Sequence, residues 1–545
     1  MADGIGRRVF LGSGLAAGVA GTIGPVSLAA SRPRKPASLA PPDFELEEAT
    51  IADLRRKMES GEHTARSLTE AYLARIEGLD GDGPALRALL ETNPDALEVA
   101  GELDAERRAG HVRGALHGIP VLLKDNLETA DRMETTAGSL ALLGARPGRD
   151  AFAAGRLREA GAVILGKANL SEWANFRSTA SSSGWSARGG QAKNPYALDR
   201  TPCGSSSGSG TAVAANLCAV AVGTETDGSI VCPSSANSIV GIKPTLGLVS
   251  RSGIVPLSHS QDTAGPMART VADAAILLGA MAGADPADPV SAESRGHLRE
   301  DYTRFLDPRG LEGARIGIPR ERFFGYSEEA DRTAESAIDA LREAGAVLVD
   351  PVALPHAGEY DDSEYEVLLY EFKADLNAYL TGRPGPPVRS LSDLIRFNEE
   401  RRDEEMPFFG QEIFVQAEAK GPLTEAVYLE ALEKNHRLSR AEGIDHVMDQ
   451  HRLDALFAPT TSPPWTIDLV NGDHGLGGCS TPAAVAGYPH VTVPAGYAFG
   501  LPVGVSFFGR AWSEPVLIRL AYAFEQTTRA RRPPRFAATA ELVVP

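Results

Sequence analysis

Hydrophobic positions divide the chain into stretches of different period. Between Leu46 and Met58, Ile51, Leu54 and Met58 fall three and four residues apart, which predicts a helix with one inward stripe. Thr64 has the chemistry of an N-cap for a second helix carrying Leu68, Tyr72 and Ile76 on one face. From Ala115 the texture changes. Gly118-Ile119-Pro120 leads into the apolar run Val121-Leu122-Leu123, which ends at Lys124. A lysine there is either a surface cap or an amine aimed inward, and the pattern alone leaves both open. Asp150 to Ala160 reads as a helix, and Val163-Ile164-Leu165 as a strand continuing into Gly166-Lys167-Ala168-Asn169. Further short apolar runs bounded by Gly and Pro are read as strands: 240–245, 253–257, 456–459, 491–496 and 503–508. Thr270 is the expected cap of a helix beginning at Val271.

Helix–strand alternation of this kind predicts an α/β fold, a single domain with a large mixed β-sheet flanked by helices. Residues 285–455 read differently. They are richer in helical pattern, charge and aromatics, with Tyr365, Tyr370, Phe372 and Tyr379 in one run and Phe397, Phe408, Phe409 and Phe414 beyond it. This region is expected to lie over the sheet, where a substrate groove could be built. No internal repeat and no second domain is evident.

The polar stretches carry the candidate chemistry. Residues 203–210, CGSSSGSG, and 223–229, GTETDGS, bracket an uncharged, proline-free run from Thr211 to Val222. Burying such a run would hold both turns firmly. Glycine lets backbone N–H groups converge on one point, and serine supplies hydroxyls able to attack or to relay protons. A serine nucleophile needs a base, and a lysine kept neutral by burial is one solution. Lys124 is the candidate base, and Ser205 and Ser229, 24 residues apart, are the candidate hydroxyls. The Gly/Ser-rich segment 178–190 leads straight into this stretch and is read as a wall of the site.

Composition narrows the field. Hydrophobic residues at 43% and charged residues at 23% permit a large core, and a net charge of −18 argues against nucleic-acid or anionic-membrane partners. Arg7-Arg8-Val9-Phe10-Leu11, the Gly/Ala-rich apolar stretch after it and the small residues ending at Ala30 read as a twin-arginine-type export signal over residues 1–30. Residues 31–43 follow as a proline-rich linker and 44–545 as the folded domain, and the mature protein is expected to be periplasmic or secreted and free of the membrane. Cys203, Cys218, Cys232 and Cys479 are too few for a disulfide scaffold and fit no zinc spacing. Neither metal nor cofactor is expected.

GIPVLLKDN (118–126), CGSSSGSG (203–210), GTETDGSIVCP (223–233) and GIKPTLGLVSRSGIVPLSHSQDTAGPMART (241–270), in this order and spacing, resemble the amidase signature family. The resemblance extends over roughly residues 44–540, with the signature core at about 115–275. It implies a Ser–cis-Ser–Lys triad: Ser229 as nucleophile, Ser205 as relay after a cis peptide bond, and Lys124 as base. It also implies an oxyanion hole from the N–H groups of Thr226, Asp227, Gly228 and Ser229, and hydrolysis of a carboxamide to carboxylate and ammonia without a protein partner. Many members carry Arg two residues after the nucleophile, in GGSIR. Here Val231 stands there and Asp227 replaces the first glycine, a form resembling the branch that removes the C-terminal amide of peptides. General hydrolysis of small aliphatic or aryl amides is the alternative within the family.

Other chemistries fit less well. Residues 204–208 also match GxSxG, which would make Ser206 the nucleophile of an α/β-hydrolase, but that elbow needs a preceding strand and 194–203 reads as a loop. SxxK, the phosphate-loop motif and HExxH do not occur. A non-catalytic binding protein, with the serine stretch inert, is the remaining alternative.

Overall fold

The computed structural model describes residues 43–541 except Pro384 and Pro386. The export signal and nearly all of the linker expected at 1–43 lie outside the described residues. Thirteen strands occur among the described residues: β1 (Leu89–Thr92), β2 (Pro120–Lys124), β3 (Val163–Ala168), β4 (Trp185–Ser186), β5 (Gly190–Gln191), β6 (Val220–Glu225), β7 (Val240–Lys243), β8 (Thr263–Ala268), β9 (Arg315–Gly317), β10 (Val347–Val349), β11 (Ala455–Pro459), β12 (His490–Ala498) and β13 (Leu501–Phe508). Apart from the short β4–β5 hairpin they form one mixed sheet in the order β1-β3-β2-β6-β8-β7-β12-β13-β11-β9-β10. β3, β2 and β6 run parallel, as do β11, β9 and β10, with antiparallel pairings between. The expected single α/β domain with a mixed sheet is what the chain forms.

The central strands β2, β3, β6, β7 and β8 are buried along their whole length, as near-continuous apolar runs in a sheet covered on both faces should be. Helices Val271–Met281, Glu514–Thr528 and Glu328–Glu343 pack in a contiguous row against this sheet, and Phe152–Glu159 packs on Val271–Met281. Helices Ser207–Ala214 and Val231–Ala236 pack against each other, the first on β2, β3 and β6 and the second on β7, β12 and β13.

Several expectations need correcting. The run 211–222 is buried throughout, as expected, and is built of two elements: Ser207–Ala214 is a helix and the chain re-enters the sheet at Val220. Residues 253–257 form no strand. A single bridge joins Leu127 to Ile254, and the Leu257 N–H donates to the Asp262 carboxylate (2.7 Å), which turns the chain instead. The first helix starts at Ile51, because Thr50 and Asp53 close a reciprocal cap, and ends at Ser60. The region 285–455 is not purely an overlay, since β9 and β10 complete one edge of the main sheet. Its longest helix, Asp361–Gly382, carries Tyr365, Tyr370, Phe372 and Tyr379 as expected.

Candidate active site

Three elements converge at one end of the parallel strands. β2 delivers Lys124 at its C-terminal end, neighbouring β6 delivers Thr224 and Glu225, and the turn before helix Ser207–Ala214 delivers Ser205. Ligand sites in α/β sheets gather outside the carboxyl ends of the strands. The pattern left Lys124 open between cap and inward amine, and the fold decides it: Lys124 is wholly buried. Its Nζ donates to Ser205 Oγ at 2.8 Å, to Thr224 Oγ1 at 2.8 Å and to the Thr224 carbonyl at 3.3 Å. Burial pulls the amine down to about 7, against the opposing pull of the Asp262 and Glu225 carboxylates. Near neutral pH a large fraction is therefore the free amine, a competent base.

Two other lysines, Lys167 and Lys243, are buried at strand ends, both drawn down to about 8 by burial. Lys167 donates to the Leu127 carbonyl and Thr135 Oγ1, and Lys243 to the carbonyls of Tyr488 and Pro244. Neither donates to a serine. That contact separates Lys124 from them.

The Gly204–Ser205 peptide bond is cis, as the resemblance implied. Ser205 is fully buried, and Ser229, on the turn after β6, retains 8% exposure. The two serine turns meet through the Ser206 N–H, which donates to the Ser229 carbonyl (3.1 Å), and through a disulfide between Cys203 and Cys232. Ser206 itself is spent on structure. Its hydroxyl donates to the Thr224 carbonyl (2.9 Å) and accepts from the Thr224 N–H (3.1 Å), which leaves the Ser206 elbow without a free nucleophile.

The turn Thr226–Ser229 has the form of an oxyanion hole. Among the described residues, none of its four amides donates to a protein acceptor, whereas the next two, Ile230 and Val231, donate to Glu225 Oε2 at 2.7 and 3.0 Å. Gly228 has φ +78°, a left-handed conformation that glycine adopts without penalty. Thr226 Oγ1 donates to Asp262 (2.6 Å), Thr481 Oγ1 to Asp227 (2.7 Å), and Gln261 Nε2 bridges the Thr226 carbonyl and Glu364. The turn is thus pinned from three directions with its own amides free.

A cavity of about 250 Å³ adjoins this network. Asn126, Thr224 and Thr226 line it with the charged Arg251, Asp262, Asp288 and Asp375, beside the apolar Ile254, Val255 and Leu257 and the Tyr379 ring. Asn126 Nδ2 donates to Thr224 Oγ1 (2.9 Å), while its buried Oδ1 has no protein partner among the described residues. Tyr379, Ala378 and Asp375 come from helix Asp361–Gly382, so the 285–455 region does build part of the wall. Ala174 contributes from the short segment before 178–190. Sequence reading missed Asn126, Thr224, Asp262, Gln261 and Glu364. Asn126, Thr224, Gln261 and Asp262 stand inside the signature motifs and could have been found there, but Glu364 lies 103 residues from Gln261 and carries no local signal.

With this geometry in view, the relatives can be placed. The family described as Amidase matches residues 67–518. A probable amidase of Arabidopsis thaliana is 46% identical over 504 residues, covering 91% of this chain and 93% of that protein. A putative amidase of Schizosaccharomyces pombe is 39% identical over 517 residues, covering 90% and 87%. The crystal structure of native peptide amidase from Stenotrophomonas maltophilia is 56% identical, with a TM-score of 0.87, and covers 91% of this chain and all of that one. Fold, motifs and relatives agree: the chain belongs to the amidase signature family and is a hydrolase acting on amides.

Proposed function

We propose that this amidase hydrolyses the C-terminal carboxamide of peptides by a Ser229–Ser205–Lys124 relay. The observation that carries the relay is the 2.8 Å contact between a fully buried Lys124 amine and the Ser205 hydroxyl. Neutral Lys124 takes the Ser205 proton as Ser205 takes that of Ser229, and Ser229 Oγ attacks the carboxamide carbon. The oxyanion is received by the free amides of Thr226–Ser229; one such donor is worth about 10²–10³ in rate. The C–N bond then breaks, Lys124 returns its proton through Ser205 to the nitrogen, and ammonia departs. Water, deprotonated by the same relay, releases the acyl group from Ser229 as a carboxylate.

The peptide reading is supported by the likeness to solved peptide amidases, by uncharged Val231 two residues after the nucleophile, and by the cavity beside Thr226, whose lining mixes apolar and charged side chains. The test is ammonia release from an amidated dipeptide, free asparagine or glutamine, and a small aryl amide. Preference for the dipeptide supports the reading. Preference for the aryl amide would replace it with general amidase activity while keeping the relay. Ser229→Ala should lower kcat by at least about 10⁴-fold with the fold retained, since the residual rate of a triad lacking its nucleophile comes from binding and the oxyanion hole alone. Activity surviving in Ser229→Ala would sink the assignment. Export by a twin-arginine route is also proposed, on Arg7-Arg8 and the apolar stretch behind them; fractionation of an expressing bacterium that found the protein wholly in the cytosol would overturn it.

A further inference from the structure

Cys203 lies two residues before the relay serine, and Cys232 three residues after the nucleophile. Their sulfurs are bonded, with Cα atoms 6.0 Å apart across 29 residues of chain. Those 29 residues leave the relay turn through helix Ser207–Ala214, return along β6 and end in the nucleophile turn. Among the described residues, one hydrogen bond, Ser206 N–H to the Ser229 carbonyl, joins residues 203–206 to 226–232. Such a bond contributes only about 1 kcal/mol. Ser206 is also tied to the end of β6, its hydroxyl donating to the Thr224 carbonyl and accepting from the Thr224 N–H, and the disulfide is the covalent tie, anchored at both ends. The Cys203 N–H donates to Thr201 Oγ1 (3.0 Å), and the Cys203 carbonyl accepts from Ser207 Oγ (2.6 Å). These bonds hold Cys203 at φ +57°, a conformation unusual for a residue with a side chain. The Cys232 N–H donates to the Gly228 carbonyl (2.8 Å), inside the turn that presents the free amides.

We propose that the Cys203–Cys232 disulfide is a positioning element of the catalytic site: it sets the spacing of the Ser205 and Ser229 turns, so full turnover requires the oxidised chain. The inference rests on the Ser229–Ser205–Lys124 reading above. It assigns the cross-link to geometry rather than to global stability, because both turns are buried in a core that does not need a staple. A proton relay is sensitive to such spacing, and a misplacement of about 1 Å can cost about 10²-fold in rate. Cys218 and Cys479 are free thiols, both buried, and take no part.

The experiment reduces the folded enzyme with a trialkylphosphine. Water supplies two protons and the oxygen, the S–S bond becomes two thiols, and the phosphine becomes its oxide. Conversion is followed by the mass gain of two hydrogens, and turnover is measured on whichever carboxamide the oxidised enzyme cleaves. The expected result is a fall in kcat of about 10-fold or more, KM within about two-fold, and recovery on reoxidation with a disulfide reagent. Cys203→Ser/Cys232→Ser should show the same low kcat and no response to phosphine. Unchanged kcat in verified reduced enzyme overturns the proposal, as does a lowered Tm with kcat intact, since that would make the bond a structural staple only. A double variant that fails to fold leaves the decision with the reduced wild type. Activity in Ser229→Ala, with the disulfide intact, would mark the different failure of the relay itself.

Discussion

Among the described residues Lys124 makes no ion pair, and the charges that oppose its neutralisation are Asp262 and Glu225. Its titration should therefore set the acid limb of kcat/KM, with activity rising through about pH 7 as the amine loses its proton. Asp262, itself raised to about 6 by burial, favours the ammonium when ionised. Asp262→Asn removes that charge while leaving an acceptor for Thr226 Oγ1, so the limb should move to lower pH; a pH–rate profile that stayed in place would separate Lys124 from the limb. The same amine bears on stability. Its pKa falls on folding, so the unfolded chain binds more protons between about pH 7 and 10.5, and this contribution to stability grows as pH rises across that window. Lys124→Met should flatten that part of the profile in denaturant titrations at about pH 7 and 10. The residue types at 124, 205 and 229 were readable in the sequence as a candidate set. Their distances were not, because 81 residues separate Lys124 from Ser205, and the pairing of β2 with β6 together with the packing of helix Ser207–Ala214 on both strands closes the gap.

At the scale of elements, helix Ser207–Ala214 shows why the central run carries no clear periodicity. SGSGTAVA has poor intrinsic helix propensity, with two glycines, two serines and a threonine in eight residues, and no charged face. It is helical because all eight residues are buried between the sheet and helix Val231–Ala236, where tertiary packing outweighs propensity. The close approach depends on Gly208. A Cβ there would sit 2.1 Å from the Ala88 carbonyl oxygen and 2.5 Å from that of Asn169, both backbone atoms. Gly208→Ala should thus cost about 1–3 kcal/mol or more in unfolding free energy and displace the relay turn, lowering kcat as well. Thermal unfolding and turnover of the purified variant check both effects, and a variant of wild-type stability would mean the helix can shift freely. By contrast, the amphipathic helices were legible from periodicity, since Ile51, Leu54 and Met58 are all buried as their spacing requires. Residues 253–257 were misread as a strand because a short apolar run bounded by Gly and Pro also fits a buried loop, and Asp262 turns this one.

Across the whole molecule, the 285–455 region is fastened to the signature core by a buried charge cluster. Arg177 Nε lies 3.0 Å from Glu172 Oε1, both side chains being nearly inaccessible, and the guanidinium sits 4.4 Å from the centre of the Phe409 ring. Glu405 accepts from the Leu140 N–H (2.8 Å) and Ser139 Oγ (3.1 Å), and Glu412 accepts from Ser178 and Thr179. Burial holds the neighbouring Glu172 and Glu405 carboxyls above the ordinary carboxylate range, against the pull of Arg177. The folded chain therefore holds a proton on this pair that the unfolded chain releases, and this contribution to stability is lost as pH climbs above the ordinary carboxylate range. Glu172→Gln leaves Glu405 as the carboxylate facing Arg177 and should reduce that loss. Denaturant midpoints at about pH 5.5 and 8.5 that differ as much in the variant as in the wild type would refute the assignment.

By itself the sequence determined the α/β class, the amphipathic helices, the two serine turns and the identity of the catalytic candidates, because each depends on local period or on short motifs. Tertiary structure alone decided that Lys124 points inward, that the four amides of 226–229 stay free, that Cys203 and Cys232 join, and that a helix starting at Asp361 walls the cavity. Those facts rest on strand order and on burial between residues far apart in the chain, and neither is written in any local pattern.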